Sequence, residues 1–173
     1  MSARLSAPEP LCAEHDLSNF ACGEASLDDW LKRRALANQF SGASRTFVAL
    51  DEDRLVVGYY ALAAGAVAHQ SATGGVRRNM PDPIPVLVLG RLAVAQRAQG
   101  LKLGAALLQD AVWRAMAVSE NAGIRALLVH ALSERARAFY EQYGFQESPL
   151  DPMTLMLRLH GPAHKLGSDS NFL

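Results

Sequence analysis

Cysteine is scarce in this chain of 173 residues: only Cys12 and Cys22 occur, with no second pair and no histidines at ligand spacing. That excludes a disulfide framework or a zinc site as the basis of the fold, and the two are expected to be reduced thiols. Net charge is missing as well, since 17 Lys+Arg stand against 17 Asp+Glu. No global field draws nucleic acid or an anionic membrane to the surface, so any basic binding surface must be local. Long apolar runs are also absent. Val86 to Leu89 is far too short to span a bilayer, and Met1-Ser2-Ala3-Arg4 is not followed by the apolar block of a signal peptide. These absences predict a cytoplasmic protein with no membrane partner. What the chain does have is 50% hydrophobic residues, enough to bury one sizeable core in one domain.

The pattern along the chain alternates between the two periods of regular structure. Ser26-Leu27-Asp28-Asp29 has the form of a capping box ahead of Trp30, Leu31, Arg34, Ala35 and Asn38, which predicts a first helix from about Leu27 to Gln39. Thr46 to Leu50 and Val56 to Leu62 flank the polar Asp51-Glu52-Asp53-Arg54 and read as two adjacent antiparallel strands. Gln70 to Pro85 holds Gly74-Gly75, Arg77-Arg78 and Pro81, Pro83 and Pro85, a composition that predicts a long surface loop. Val86 to Val94 reads as a buried strand. A helix from about Leu101 to Glu120 follows, with Leu103, Ala106, Leu107, Ala111 and Met116 inward. Ala126 to Leu132 is the next strand, Glu134 to Tyr143 the next helix and Met153 to Leu159 the last strand. Strands running into helices predict an α/β (α+β) fold, a mixed sheet covered on both faces. The domain is expected to span 1–159, and residues 160–173, which lose all periodicity, to form a flexible C-terminal tail.

Two segments carry chemistry. In the first, Arg91-Leu92-Ala93-Val94 leads through Gln99-Gly100-Leu101-Lys102 into Leu103-Gly104-Ala105-Ala106. A strand that turns through glycine into a helix exposes free amides at the positive end of the helix dipole, where an anion such as pyrophosphate can sit. The same glycine also suits a plain tight turn, and spacing alone does not separate the two. The second segment, Ser133 to Phe145, places Tyr140 and Gly144-Phe145 on and after a helix, where aromatic residues also serve as core.

Together the segments resemble the two hallmarks of GNAT acetyltransferases, Q/R-x-x-G-x-G/A and N-x-x-A-x-x-x-Y-x-x-x-G-F. Gln99 and Gly104 match the first, with Lys102 in place of the middle glycine; Tyr140, Gly144 and Phe145 match the second, with Ser133 in place of the asparagine. The resemblance implies a GNAT fold with a mostly antiparallel mixed sheet, and acetyl-CoA as co-substrate without a metal. It implies cofactor contacts from Leu92, Ala93, Val94, Gln99, Gly100, Lys102, Leu103, Gly104, Ala105 and Ser133, and Tyr140 as general acid. Leu17 to Glu24, Leu27 to Leu31 and Asp151 to Leu155 further resemble TacT-like toxins of toxin-antitoxin pairs. That resemblance implies acetylation of the amino acid on a charged tRNA, which blocks translation, a ribbon-helix-helix antitoxin that represses the shared promoter, and a homodimer.

Chemistry supplies the roles. A tyrosine with a reference pKa of about 10 is protonated at neutral pH and can donate to a departing thiolate, while an α-amine titrating near about 8 is partly neutral without a dedicated base. For a tRNA the chain offers Lys32-Arg33-Arg34, Arg45 and Arg77-Arg78; each alone reads first as a solvated face, and only as a set lining a groove would they track a tRNA. Two other functions share these residues. One is an acetyltransferase acting on a small amine or a protein amine. The other is a weakly active acyl-CoA-binding regulatory module, which Lys102 and Ser133 would mark.

Overall fold

Short apolar segments between turn residues make the strands, and the Ala- and Leu-rich run from Leu103 makes a helix of 19 residues. In the computed structural model, which describes residues 5–160, the elements are β1 (Glu9–Pro10), α1 (Ala25–Arg33), α2 (Ala35–Ser41), β2 (Arg45–Leu50), β3 (Val56–Val67), α3 (Gly74–Arg77), β4 (Ile84–Val94), α4 (Leu103–Asn121), β5 (Ala126–His130), α5 (Glu134–Gln142), β6 (Gln146–Glu147) and β7 (Thr154–Arg158). Strand order is β1-β2-β3-β4-β5-β7-β6. The tail expected over 160–173 lies, from residue 161 onward, outside the described residues.

The described residues fold as two units, one of residues 5–63 and 90–111, the other of 64–89 and 112–160. In the first, β1 and β3 flank β2, both antiparallel to it, with Ala49 opposite Gly58. Phe20, Leu31, Val48, Tyr59 and Tyr60 are its buried anchors. Tyr59 meets Phe20 edge-on at 5.5 Å, stacks on Trp30 at 6.0 Å and donates its hydroxyl to the Leu27 carbonyl at 2.8 Å, which ties α1 to β3. In the second unit β5 runs parallel to β4, with Val86 opposite Ala126, and antiparallel to β7, with Leu128 opposite Met156. Ala72, Val76, Ile84, Val86, Ala126, Leu128 and Met156 form one apolar cluster there.

Several expectations are corrected. The first helix is two: the backbone leaves helical geometry at Arg34 (φ −120°, ψ −32°), and Leu31 and Ala35 are buried on either side of the bend. Ser26 does not cap it. Glu24 is the cap residue, and Asp28 instead accepts the Cys22 amide at 2.9 Å, so the carboxylate serves the segment before the helix. The loop of Gln70 to Pro85 contains the helical turn α3, and Pro85 lies inside β4, where its carbonyl accepts the Arg125 amide at 2.9 Å. A proline that keeps its carbonyl in a ladder need not end a strand. Ala106 is exposed and Met116 half-buried; the helix instead buries Leu103, Leu107, Leu108, Ala111, Val112 and Ala115. Strand β5 stops at His130 and β3 continues to Val67.

Candidate functional site

The amide cradle predicted after β4 lies entirely in the first unit, and its construction can be followed bond by bond. The Ala95 amide donates to Val57 at 2.8 Å, which holds the end of β4 to β3. The Gln96 amide donates to the Ala21 carbonyl at 2.8 Å, and Gln99 spends its side-chain amide on the Val94 and Cys22 carbonyls at 3.0 and 3.1 Å. Gln99 is thus a staple between the turn, the strand end and the N-terminal segment. Gly100 and Lys102 then adopt left-handed backbones, with φ of 84° and 62°. That pair of reversals delays α4 to Leu103, two residues later than periodicity predicts. The Ala106 amide donates to the Lys102 carbonyl at 3.2 Å, and the amides of Leu103, Gly104 and Ala105 before it find no backbone acceptor among the described residues, which leaves them as the free donors of the helix start. Successive amides around left-handed residues make an anion-binding concavity, and the helix dipole adds to it.

Leu103 contributes its backbone to the cradle and its side chain to the core. A Cβ built on Gly58 would stand 2.9 Å from Leu107 Cδ1 and 3.0 Å from Leu103 Cδ2, so α4 rests directly on the backbone of β3. Sequence reasoning missed Gly58 because a glycine within a strand has no motif around it. Lys102 explains itself better. Only its backbone conformation asks for glycine, and a lysine held there costs about 1 kcal/mol while placing an exposed ammonium beside the free amides. In the variant Lys102→Gly we expect stability within about 1 kcal/mol of wild type and a KM for acetyl-CoA raised about fivefold by the lost charge. Steady-state kinetics and thermal melts measure both, and an unchanged KM would show that the ammonium does not reach the phosphates.

The second half of the predicted machinery lies in the second unit. Ser133 is the N-cap of α5 and accepts the Ala136 amide on its hydroxyl oxygen at 3.1 Å, a capping job that occupies it locally. Tyr140 is buried between Phe139 and Phe145, whose ring centroids lie 5.3 and 5.4 Å away. Burial pushes its hydroxyl up to about 12, so the phenol is neutral at every working pH. Gly144, at φ 92°, turns the chain back so that Phe145 can cover the ring.

The basic candidates are divided between the two units. Lys32, Arg33 and Arg34 are exposed at the end of α1 and its bend. Arg45 donates to the Gln39 carbonyl at 2.7 Å and so closes the end of α2. Arg77 and Arg78 are exposed in the second unit. Two further cations had no sequence signal: Arg91, whose guanidinium lies 4.4 Å over the Trp30 ring, and Arg125. Among the described residues no group of three potential metal ligands occurs. The Cys22 thiol is pushed up to about 11, by burial first and then by its bond with Asp28, the opposite of an activated nucleophile. His130 bonds Thr154 at 2.9 Å and His69 approaches the Met80 and Pro81 carbonyls at 2.8 Å, which is structural work for both. No helix among the described residues is long and apolar enough to cross a membrane.

Comparison with known proteins decides the family. The model of the acetyltransferase (GNAT) domain matches residues 42–147. The chain belongs to the GNAT acetyltransferases. Among curated relatives, this GNAT enzyme is similar to a "tRNA-acetylating toxin" of Mycobacterium tuberculosis (strain ATCC 25618 / H37Rv), 53% identical over 88% of this chain and 91% of that one. Among solved structures it is similar to AtaT complexed with acetyl-methionyl-tRNAfMet, with a TM-score of 0.82 and 28% identity over 90% of this chain and 95% of the other. It is also similar to a Tyr-to-Phe mutant of the AtaT toxin bound to the C-terminus of the antitoxin AtaR and acetyl-CoA, with a TM-score of 0.75 and 28% identity over 90% and 93% of the two chains.

Proposed function

We propose that this enzyme transfers the acetyl group of acetyl-CoA to the α-amino group of an amino acid carried on tRNA and thereby blocks translation. The observation that carries the reading is the 53% identity, over nearly the whole of both chains, with a tRNA-acetylating toxin. The amide cradle after β4 supports acetyl-CoA as co-substrate, because three free amides and two left-handed residues suit a pyrophosphate better than an apolar ligand. Leu92 to Val94, Gln99, Gly100 and Lys102 to Ala105 are the proposed binding segment, the amides by direct contact and Gln99 by holding the turn.

Acetyl-CoA supplies the activated acyl group as a thioester. The chain's own part is to orient and to manage one proton. The neutral amine attacks the thioester carbonyl, a C–N bond forms, the C–S bond breaks, and the amine proton leaves to water. Tyr140 gives its phenolic proton to the departing sulfur and recovers one from solvent. A phenol near 12 is a weak acid, yet dry surroundings also raise the pKa of the thiol being formed, which narrows the gap.

The toxin reading carries proposed partners with it: an antitoxin, of the ribbon-helix-helix type by resemblance, and a second copy of this chain in a homodimer acting in the cytoplasm. The test is incubation with labelled acetyl-CoA beside total charged tRNA, deacylated tRNA and a panel of free amines. Label only on charged tRNA is expected. Label only on free amines would make this a metabolic acetyltransferase, and no label at all, with acetyl-CoA still bound, would make it a binding module.

A further inference from the structure

Arg125 stands where an apolar strand begins, and its side chain does something unusual for a cation in a chain with equal numbers of acids and bases. The Nε donates to the Val76 carbonyl at 3.1 Å, and Nη2 donates to the Gly75 and Arg78 carbonyls at 3.0 and 3.2 Å. All three acceptors belong to α3 and its C-cap, the negative end of a short helical turn. The same turn is plugged from beneath by Val76, which is buried in the apolar cluster. The Arg77-Arg78 pair therefore sits on a clamped ledge rather than on the open loop predicted for it, with both side chains exposed.

The clamp uses no acid. Among the described residues none of Arg77, Arg78, Arg125 and Arg158 is ion-paired. Arg158 lies opposite Ala126 in the β5–β7 ladder, one residue along from Arg125, and its side chain is exposed. Partial burial is the first cause that lowers the Arg125 pKa, and the charges of Arg158 and Arg78 follow. A carboxylate would have fixed the loop at lower electrostatic cost, since adjacent guanidiniums repel. Neutral carbonyls fix it and leave every positive charge uncancelled, which is the arrangement that phosphate contacts require.

We propose that Arg125 is a positioning residue for nucleic-acid binding: by holding the carbonyls of Gly75, Val76 and Arg78 it presents Arg77 and Arg78, with Arg158, as one phosphate-binding ledge. The inference rests on the reading that the acceptor is a tRNA and adds to it the surface that holds the backbone. Arg125 itself, spent on carbonyls, acts through its neighbours.

The experiment titrates total deacylated tRNA against the full chain at several salt concentrations, with acetyl-CoA affinity measured on every variant as the check on folding. Arg125→Lys keeps the charge and loses the three-way fork. It is expected to weaken tRNA binding about tenfold and to reduce the salt slope by about 2, the share of two phosphate contacts. Combined with R77Q and R78Q it should add little to the loss those two cause alone, because it works through them. Unchanged affinity and slope in R125K, or a loss fully additive with R77Q and R78Q, would overturn the inference while leaving the tRNA reading intact. If R125K loses acetyl-CoA affinity, the exposed Arg158→Gln decides: tRNA affinity reduced about threefold supports the ledge and unchanged affinity overturns it. Wild-type protein that binds acetyl-CoA and shows no salt-dependent tRNA binding would sink the ledge and the tRNA reading together.

Discussion

Tyr140→Phe is expected to lower turnover about a hundredfold or more while acetyl-CoA affinity stays within about twofold of wild type. The substitution removes one hydroxyl and keeps the ring that fills the space between Phe139 and Phe145, so packing survives and only the proton is lost. Its signature is a fall in kcat without a matching rise in KM. The wild-type pH profile provides a second reading of the same group. Activity should rise as the acceptor amine deprotonates near about 8, and no alkaline loss should follow until the phenol ionises near about 12. The sign follows from burial, which favours the neutral phenol and so extends the active form upward in pH. Near-wild-type turnover in Y140F would take Tyr140 out of the mechanism without touching the family assignment.

The largest structural effect is expected at Gly58. Valine there would drive its first side-chain carbon to 2.9 Å from Leu107 Cδ1 and 3.0 Å from Leu103 Cδ2, both buried, with two more methyls to place. Leu107 and Leu103 are the residues on which the start of α4 rests, so the helix must lift or the strand must shift. Overpacking of this kind costs about 3 kcal/mol, a Tm lower by roughly 10 °C for a chain of this size. Displacing Leu103 also displaces the free amides that begin with it. Acetyl-CoA affinity should therefore fall further than in an equally destabilising substitution elsewhere in the core, measured at a temperature where both are folded. A Gly58→Val protein that melts normally would mean that α4 does not rest on β3 as described.

Much of this fold is legible in the sequence. The hairpin around Asp51 to Arg54, the strand into Val94, the helix from Glu134 and the strand from Ala126 follow from period and turn residues, because those signals act over a few neighbouring residues. Gln99, Gly104, Tyr140 and Gly144 could be singled out because they belong to motifs that fall within short segments of chain. Local pattern misplaced the start of the first helix and its continuity. Glu24, two residues before Ser26, takes the N-cap position while Asp28 holds the Cys22 amide, and the helix bends at Arg34 between the buried Leu31 and Ala35.

The chain's order of residues by itself determined the family, the class of chemistry and the polarity of its surface: no disulfide scaffold, no net field, a glycine turn into a helix and a tyrosine ahead of Gly-Phe. Only tertiary structure decided what those residues do. It turned Gln99 into a staple, gave Ser133 a capping hydrogen bond, made Lys102 a left-handed residue, required glycine at position 58 and set Arg125 as the clamp beneath Arg77 and Arg78. The reason is physical. Propensity and periodicity are sums over neighbours in sequence, whereas a hydrogen bond from residue 125 to residue 75, or a leucine resting on a glycine 49 positions away, exists only once the chain has closed on itself.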